Sequence, residues 1–157
     1  MLDETLLLDN ETDFYEDDVI LTFIEYLKKM GCTVESYCLG CQHDIDIVAA
    51  TNAGTKLIVE AKGTPKTHKK NSRLPGMGIA FQNAIGELFQ RGHLADPNYR
   101  NIVLVPANRR FYNLVKKLNP EQNKKLRLVI ALVLPAKDGE DGKVFLTAGG
   151  KEMEVQN

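Results

Sequence analysis

The chain has 157 residues, 43% hydrophobic and 26% charged with no tryptophan, proportions of one globular domain that can bury a core without disulfides or structural metal. Its formal net charge of −1 excludes a uniformly basic nucleic-acid coat, and no apolar run reaches the roughly 18 residues that a bilayer span requires. The start is acidic where a signal peptide would be basic, which points to a cytoplasmic protein.

Residues 1–15 carry no clean period and read as an acidic lead-in with a turn around Leu6, Leu7 and Leu8, before a single domain over 16–157. From Glu16 to Met30 the residues Val19, Ile20, Phe23, Ile24, Leu27 and Met30 recur at helical spacing, and Gly31 stops the run. Thr33 to Cys38 favours a strand; after a turn at Gly40 comes a second, Asp44 to Ala50, and after Asn52–Thr55 a third, Lys56 to Lys62. Connections this short predict an antiparallel meander.

Residues 63–78, rich in Gly, Pro, Lys and Ser, read as a long exposed loop. A helix is expected from Ile79 to Arg91, with Phe81, Ala84, Ile85 and Leu88 on one face, and Asp96-Pro97-Asn98 ends that segment. Ile102 to Val105 is a buried strand, and Asn108 caps a short helix through Leu118. Leu126 to Leu134 is an apolar strand typical of a sheet covered on both faces, and Lys143 to Thr147 a last edge strand. The order of elements predicts an α/β sandwich, a mixed sheet with helices on both faces.

Cys32, Cys38 and Cys41 make an odd count, which argues against a disulfide framework. Cys38, Cys41 and His43 offer three of the four ligands of structural zinc, with no second pair in the chain, so Cys32 and Cys38 read as small hydrophobes on a strand.

Alternate residues of a strand share a face, so Glu60 and Lys62 stand side by side while Val59 and Ala61 enter the opposite layer. Two charges ending the apolar run Leu57-Ile58-Val59 cost desolvation unless they pair or serve a site. Alone, they also fit a surface ion pair. The neighbouring strand changes the weighing: Asp44 and Asp46 alternate with Ile45 and Ile47, and the Asn52–Thr55 turn brings Asp46 level with Glu60. Two carboxylates on adjacent strands repel each other unless a hard cation lies between them, and Mg²⁺ is commonly held by one or two carboxylates plus phosphate oxygens and water.

Asp46-Ile47-Val48-Ala49 followed by Ile58-Val59-Glu60-Ala61-Lys62-Gly63, in an αβββαβ order over residues 16–105, resembles the PD-(D/E)xK nuclease superfamily. That superfamily includes many restriction endonucleases and archaeal-type Holliday junction resolvases. Ile45 stands where the family's name has proline. The resemblance implies a restriction endonuclease-like α/β fold and a DNA nuclease of endonuclease or junction-resolvase type. It implies Mg²⁺ or Mn²⁺ held by Asp46 and Glu60, and Lys62 orienting or deprotonating the attacking water. It also implies a homodimer, since many relatives cut two strands with two subunits.

Glu16 matches the acidic residue that many relatives carry on the first helix, and it lies in line with Ile20, Phe23 and Leu27 at 100° per residue. A first-turn role at the helix dipole accounts for it equally well. Gln82 matches a polar residue recurring on the second helix of relatives, an ordinary half-exposed amide being the other reading. Asp44 is the fallback metal ligand, and His43 is more simply a structural histidine. Lys66, Lys69, Lys70 and Arg73 follow the site directly and would guide a nucleic-acid backbone; a solvated loop is the alternative. The competing function is a nuclease-fold module that binds DNA or a protein and cleaves weakly or not at all. The presence of all three core residues favours activity.

Overall fold

The computed structural model describes residues 2–40, 44–67, 70–148 and 151–152. The first helix, α1 (Glu16–Lys29), forms because Val19, Ile20, Phe23, Ile24 and Leu27 make one buried stripe. Three carboxylates occupy its first turn and two lysines its last, as the helix dipole favours. Gly31 ends it in a left-handed conformation, φ +83°, that other residues adopt at a cost.

The strands β1 (Thr33–Tyr37), β2 (Ile47–Ala50) and β3 (Lys56–Ala61) then pair antiparallel as the expected meander. From β3 the helix α2 (Lys70–Arg91) crosses to β4 (Tyr99–Pro106), which lies parallel to β3. Two short helices, α3 (Arg109–Lys116) and α4 (Pro120–Leu126), lead to β5 (Leu128–Leu134), parallel to β4. The antiparallel β6 (Lys143–Ala148) follows on the other side of β5, and the two-residue β7 (Lys151–Glu152) extends its edge. The architecture is therefore an open mixed sheet of six main strands in chain order, with four helices packed against it.

Alternation along the strands divides the core in two. Ile47, Ala49, Leu57, Val59, Ala61, Ile102 and Leu104 meet α1 on one face. Ile58, Val103, Val105, Ile130 and Leu132 meet Met77, Phe81, Ala84 and Leu88 of α2, and Phe111 and Val115 of α3, on the other. All seven residues of β5 are buried, as a strand covered on both faces requires.

Three expectations are corrected. Residues 63–78 are not one loop, because α2 begins at Lys70 and runs through Pro75, Gly76 and Gly78. Packing overrides propensity there: Met77 is fully buried, a Cβ on Gly76 would stand 3.1 Å from the Pro65 ring, and one on Gly78 3.1 Å from the Arg110 guanidinium. Leu126 does not open a strand; it ends α4, which Asn119 caps by accepting from the N–H groups of Glu121 and Gln122. Cys38 is half-buried and disulfide-bonded rather than packed as a hydrophobe, whereas Cys32 is free and buried as expected.

The acidic lead-in holds a short 3₁₀ turn, Glu4–Leu6, and docks on the main body. Leu8 N–H donates to the Ala107 carbonyl at 2.9 Å, and Leu2 is buried in the core under α2 and α3. Among the described residues no helix is long and apolar enough to cross a membrane.

Candidate active site

The end of β3 lies where open α/β sheets carry their sites, at the carboxyl end of a strand with a helix starting beside it. Glu60 is the fifth residue of β3, and Lys62 follows the strand, its N–H bonded to the Leu104 carbonyl at 2.9 Å. Both side chains lie on the side of α2, opposite Val59 and Ala61. The β2–β3 register pairs Ile47 with Val59, so Asp46, just before β2, comes level with Glu60 as the sequence predicts. Asp46 Oδ2 accepts from the Ala61 N–H at 2.7 Å.

Gly63 explains how α1 reaches this point. A Cβ there would stand 2.2 Å from the Glu16 nitrogen and 2.5 Å from the Tyr15 carbonyl carbon, so only glycine lets the helix start lie against the chain leaving β3. Thr64 zips the two segments together: its N–H donates to the Phe14 carbonyl at 3.0 Å, and its hydroxyl accepts from the Phe14 N–H at 2.9 Å. Glu16 is thereby set beside Asp46 and Lys62.

The result is a pocket of about 190 Å³ lined by Glu16, Asp44, Asp46, Glu60, Lys62, Glu87 and Arg91. Glu60 is 1% exposed and Asp46 5%. Burial, then a hydrogen bond with Glu87 and the charges of Asp46 and Glu87, push Glu60 up to about 9 against the pull of Arg91. Burial also raises Asp46, although the Ala61 N–H, Glu60 and Lys62 hold it down in part. Burial and the Asp46 charge push Glu16 up to about 7. Glu87 goes the other way: burial raises it, but hydrogen bonds with Glu60 and Lys62 and the charges of Lys62 and Arg91 outweigh that. Lys62 Nζ stands 3.2 Å from Glu87 Oε1.

Glu60 Oε1 is buried with no hydrogen-bond partner; Arg91 Nη1, likewise unpartnered, is 4.0 Å away. An all-oxygen pair of crowded, buried carboxylates with an orphaned oxygen fits a hard divalent cation. Among the described residues no three His, Cys, Asp or Glu side chains form a cation cage. Asp46 and Glu60 could thus supply only part of a cation's shell, the rest coming from water or a bound ligand's oxygens.

Of the expected site residues, the fold brings Asp46, Glu60, Lys62 and Glu16 together, with Asp44 at the rim. Gln82 is not among them: it is exposed on α2 and absent from the pocket lining. At 100° per residue it points about 140° away from Glu87. Of the basic residues, Lys66 is exposed with its ammonium 5.3 Å from the centre of the Tyr15 ring. Arg73 is held in an ion pair, Nη2 to Asp13 Oδ1 at 2.6 Å. Lys69, Cys41, His43 and the side chain of Lys70 lie outside the described residues.

No protein-family model, curated protein or solved structure matches this chain.

Glu87 and Arg91 are the site residues that sequence reading missed. Their signal was an oppositely charged i, i+4 pair bordering the buried stripe of Ala84 and Leu88, a pattern that ordinarily marks a solvated helix edge. Only the crossover of α2 above β3 turns that edge into a wall of the pocket.

Proposed function

We propose that this chain is a divalent-metal-dependent nuclease of the PD-(D/E)xK type, with a restriction endonuclease-like core, that hydrolyses DNA phosphodiesters by in-line attack of water. One observation carries the reading: Asp46, just before β2, and Glu60, on the adjacent β3, are both buried and meet with Lys62 beside them in an open polar pocket. Carboxylates crowded until one rises to about 9 weaken the fold unless a ligand uses them.

Asp46 and Glu60 would hold Mg²⁺, or Mn²⁺ in its place; when bound, such an ion polarises a phosphoryl oxygen and makes water a nucleophile at neutral pH. The Ala61 N–H fixes the Asp46 carboxylate in place against β3. Lys62 orients the attacking water and steadies the charge that develops on the phosphate. Glu16, titrating at about 7, is suited to exchanging a proton at neutral pH. Lys66, exposed and four residues after Lys62, would meet the backbone of the substrate.

Calorimetric titration with Mg²⁺ tests the assignment. The wild-type protein takes up the ion, and Glu60→Gln, which keeps the volume and removes the charge, does not. Equal affinity in the two would contradict it.

A further inference from the structure

We propose that Glu87 is the positioning residue of this site: it holds the Lys62 ammonium away from Asp46 and Glu60, so that these two remain available to a cation. The proposal rests on the nuclease reading above and extends it to α2.

Lys62 has a flexible four-carbon stem and a compact charge that will pair with whichever carboxylate it reaches. Its pocket holds Glu16, Asp46 and Glu60 as well as Glu87, yet among the described residues the ion pair it makes is with Glu87, at 3.2 Å. That pair is largely withdrawn from water, its side chains 21% and 24% exposed, so it is screened far less than a surface pair. Were the ammonium to rest on Asp46 or Glu60, it would compete with a cation for the same oxygens.

Glu87 is built to keep its place. Its Oε1 takes Lys62, and Arg91 Nη2, one turn along α2, stands 3.7 Å from Oε2, so each oxygen faces a cation; Glu87 also shares a hydrogen bond with Glu60, which a cation bound at Glu60 would replace. Ala84 and Leu88 on either side of it are buried against the sheet and fix the helix. Glu87 thus works from a rigid element, as a supporting residue must.

The test is Mn²⁺ affinity, measured by calorimetry on the wild-type protein, Glu87→Ala, Glu87→Gln, Lys62→Ala and the Lys62→Ala/Glu87→Ala pair, with thermal unfolding of each. Glu87→Ala is expected to weaken Mn²⁺ binding roughly tenfold, the scale of a lost supporting contact to a metal site. Glu87→Gln, which keeps an acceptor without charge, weakens it less. Removing Lys62 as well restores the affinity to that of Lys62→Ala alone, because the competing ammonium is gone. A pair that stays as weak as Glu87→Ala overturns the proposal and makes Glu87 a ligand or a structural group. An unchanged Glu87→Ala affinity overturns it too. A folded wild-type protein that binds no Mn²⁺ overturns the nuclease reading itself, and the proposal with it.

Discussion

Asp46 Oδ2 and the backbone N–H of Ala61 are joined by a 2.7 Å hydrogen bond, and Ala61 is the residue between Glu60 and Lys62. One bond therefore sets the acidic group of one strand against the two charged groups of the next. Asp46→Asn keeps an oxygen that can accept this bond and removes a buried charge. In EDTA it is expected to be at least as stable as wild type while failing to bind Mg²⁺. Asp46→Ala orphans the Ala61 N–H and costs about 1–3 kcal/mol. Chemical denaturation compares the two, and equal losses would show that the bond does not hold the site.

Gly63 and Gly86 predict opposite signs for the same substitution. A Cβ at Gly63 runs into the backbone of Tyr15 and Glu16, which cannot yield without moving the start of α1. Gly63→Ala is expected to cost about 1–3 kcal/mol or more, and to displace Glu16 from the pocket. A Cβ at Gly86 meets nothing within 4 Å, inside a helix. Gly86→Ala is expected to stabilise by about 1 kcal/mol. Urea denaturation of both variants reads the contrast.

The raised acidities give stability a direction with pH. Between the ordinary value of 4.5 and about 9 the unfolded chain has released the Glu60 proton while the folded protein keeps it. The folded state binds more protons there, so stability falls as pH rises through that window. Glu16, raised to about 7, adds to the fall over its lower part. In EDTA the melting temperature is therefore expected to decline from about pH 5 to about pH 9, and saturating Mg²⁺ to offset the decline, since the cation replaces the proton. A flat profile in EDTA would mean that the carboxylates are not crowded.

The basic residues after β3 separate by their partners. Lys66 is exposed, so Lys66→Gln should lower the slope of log DNA affinity against log salt by about 0.9 if one phosphate contact is lost. Arg73 is 11% exposed and committed to Asp13, so Arg73→Gln should lower stability and leave the slope alone. Filter binding over a salt series checks both, and an unchanged slope in Lys66→Gln removes it from the substrate path.

How much of this was legible depended on how local the cause is. The hairpin alternation fixed the faces of Asp46, Glu60 and Lys62, and a short turn fixed their register, so the heart of the site could be read from spacing. The phase of Glu16 was legible as well, but its proximity to the others depends on Gly63, whose role appears only when two segments far apart in sequence touch. The start of α2 was hidden because Pro75, Gly76 and Gly78 oppose a helix locally, while Pro65 and Arg110, which fit against the two glycines, come from elsewhere in the chain. Asn119-Pro120, by contrast, is a helix start legible in the sequence, masked by the apolar run that follows it.

Cleavage itself tests the central claim most directly. The full chain is incubated with single-stranded, duplex and branched DNA in Mg²⁺, Mn²⁺ or EDTA, beside Glu60→Gln purified identically. The account predicts phosphodiester cleavage of at least one DNA form by the wild-type protein with either metal, and none in EDTA or with Glu60→Gln. DNA left intact by a wild-type protein that binds the metal, or cut equally by Glu60→Gln, would contradict it.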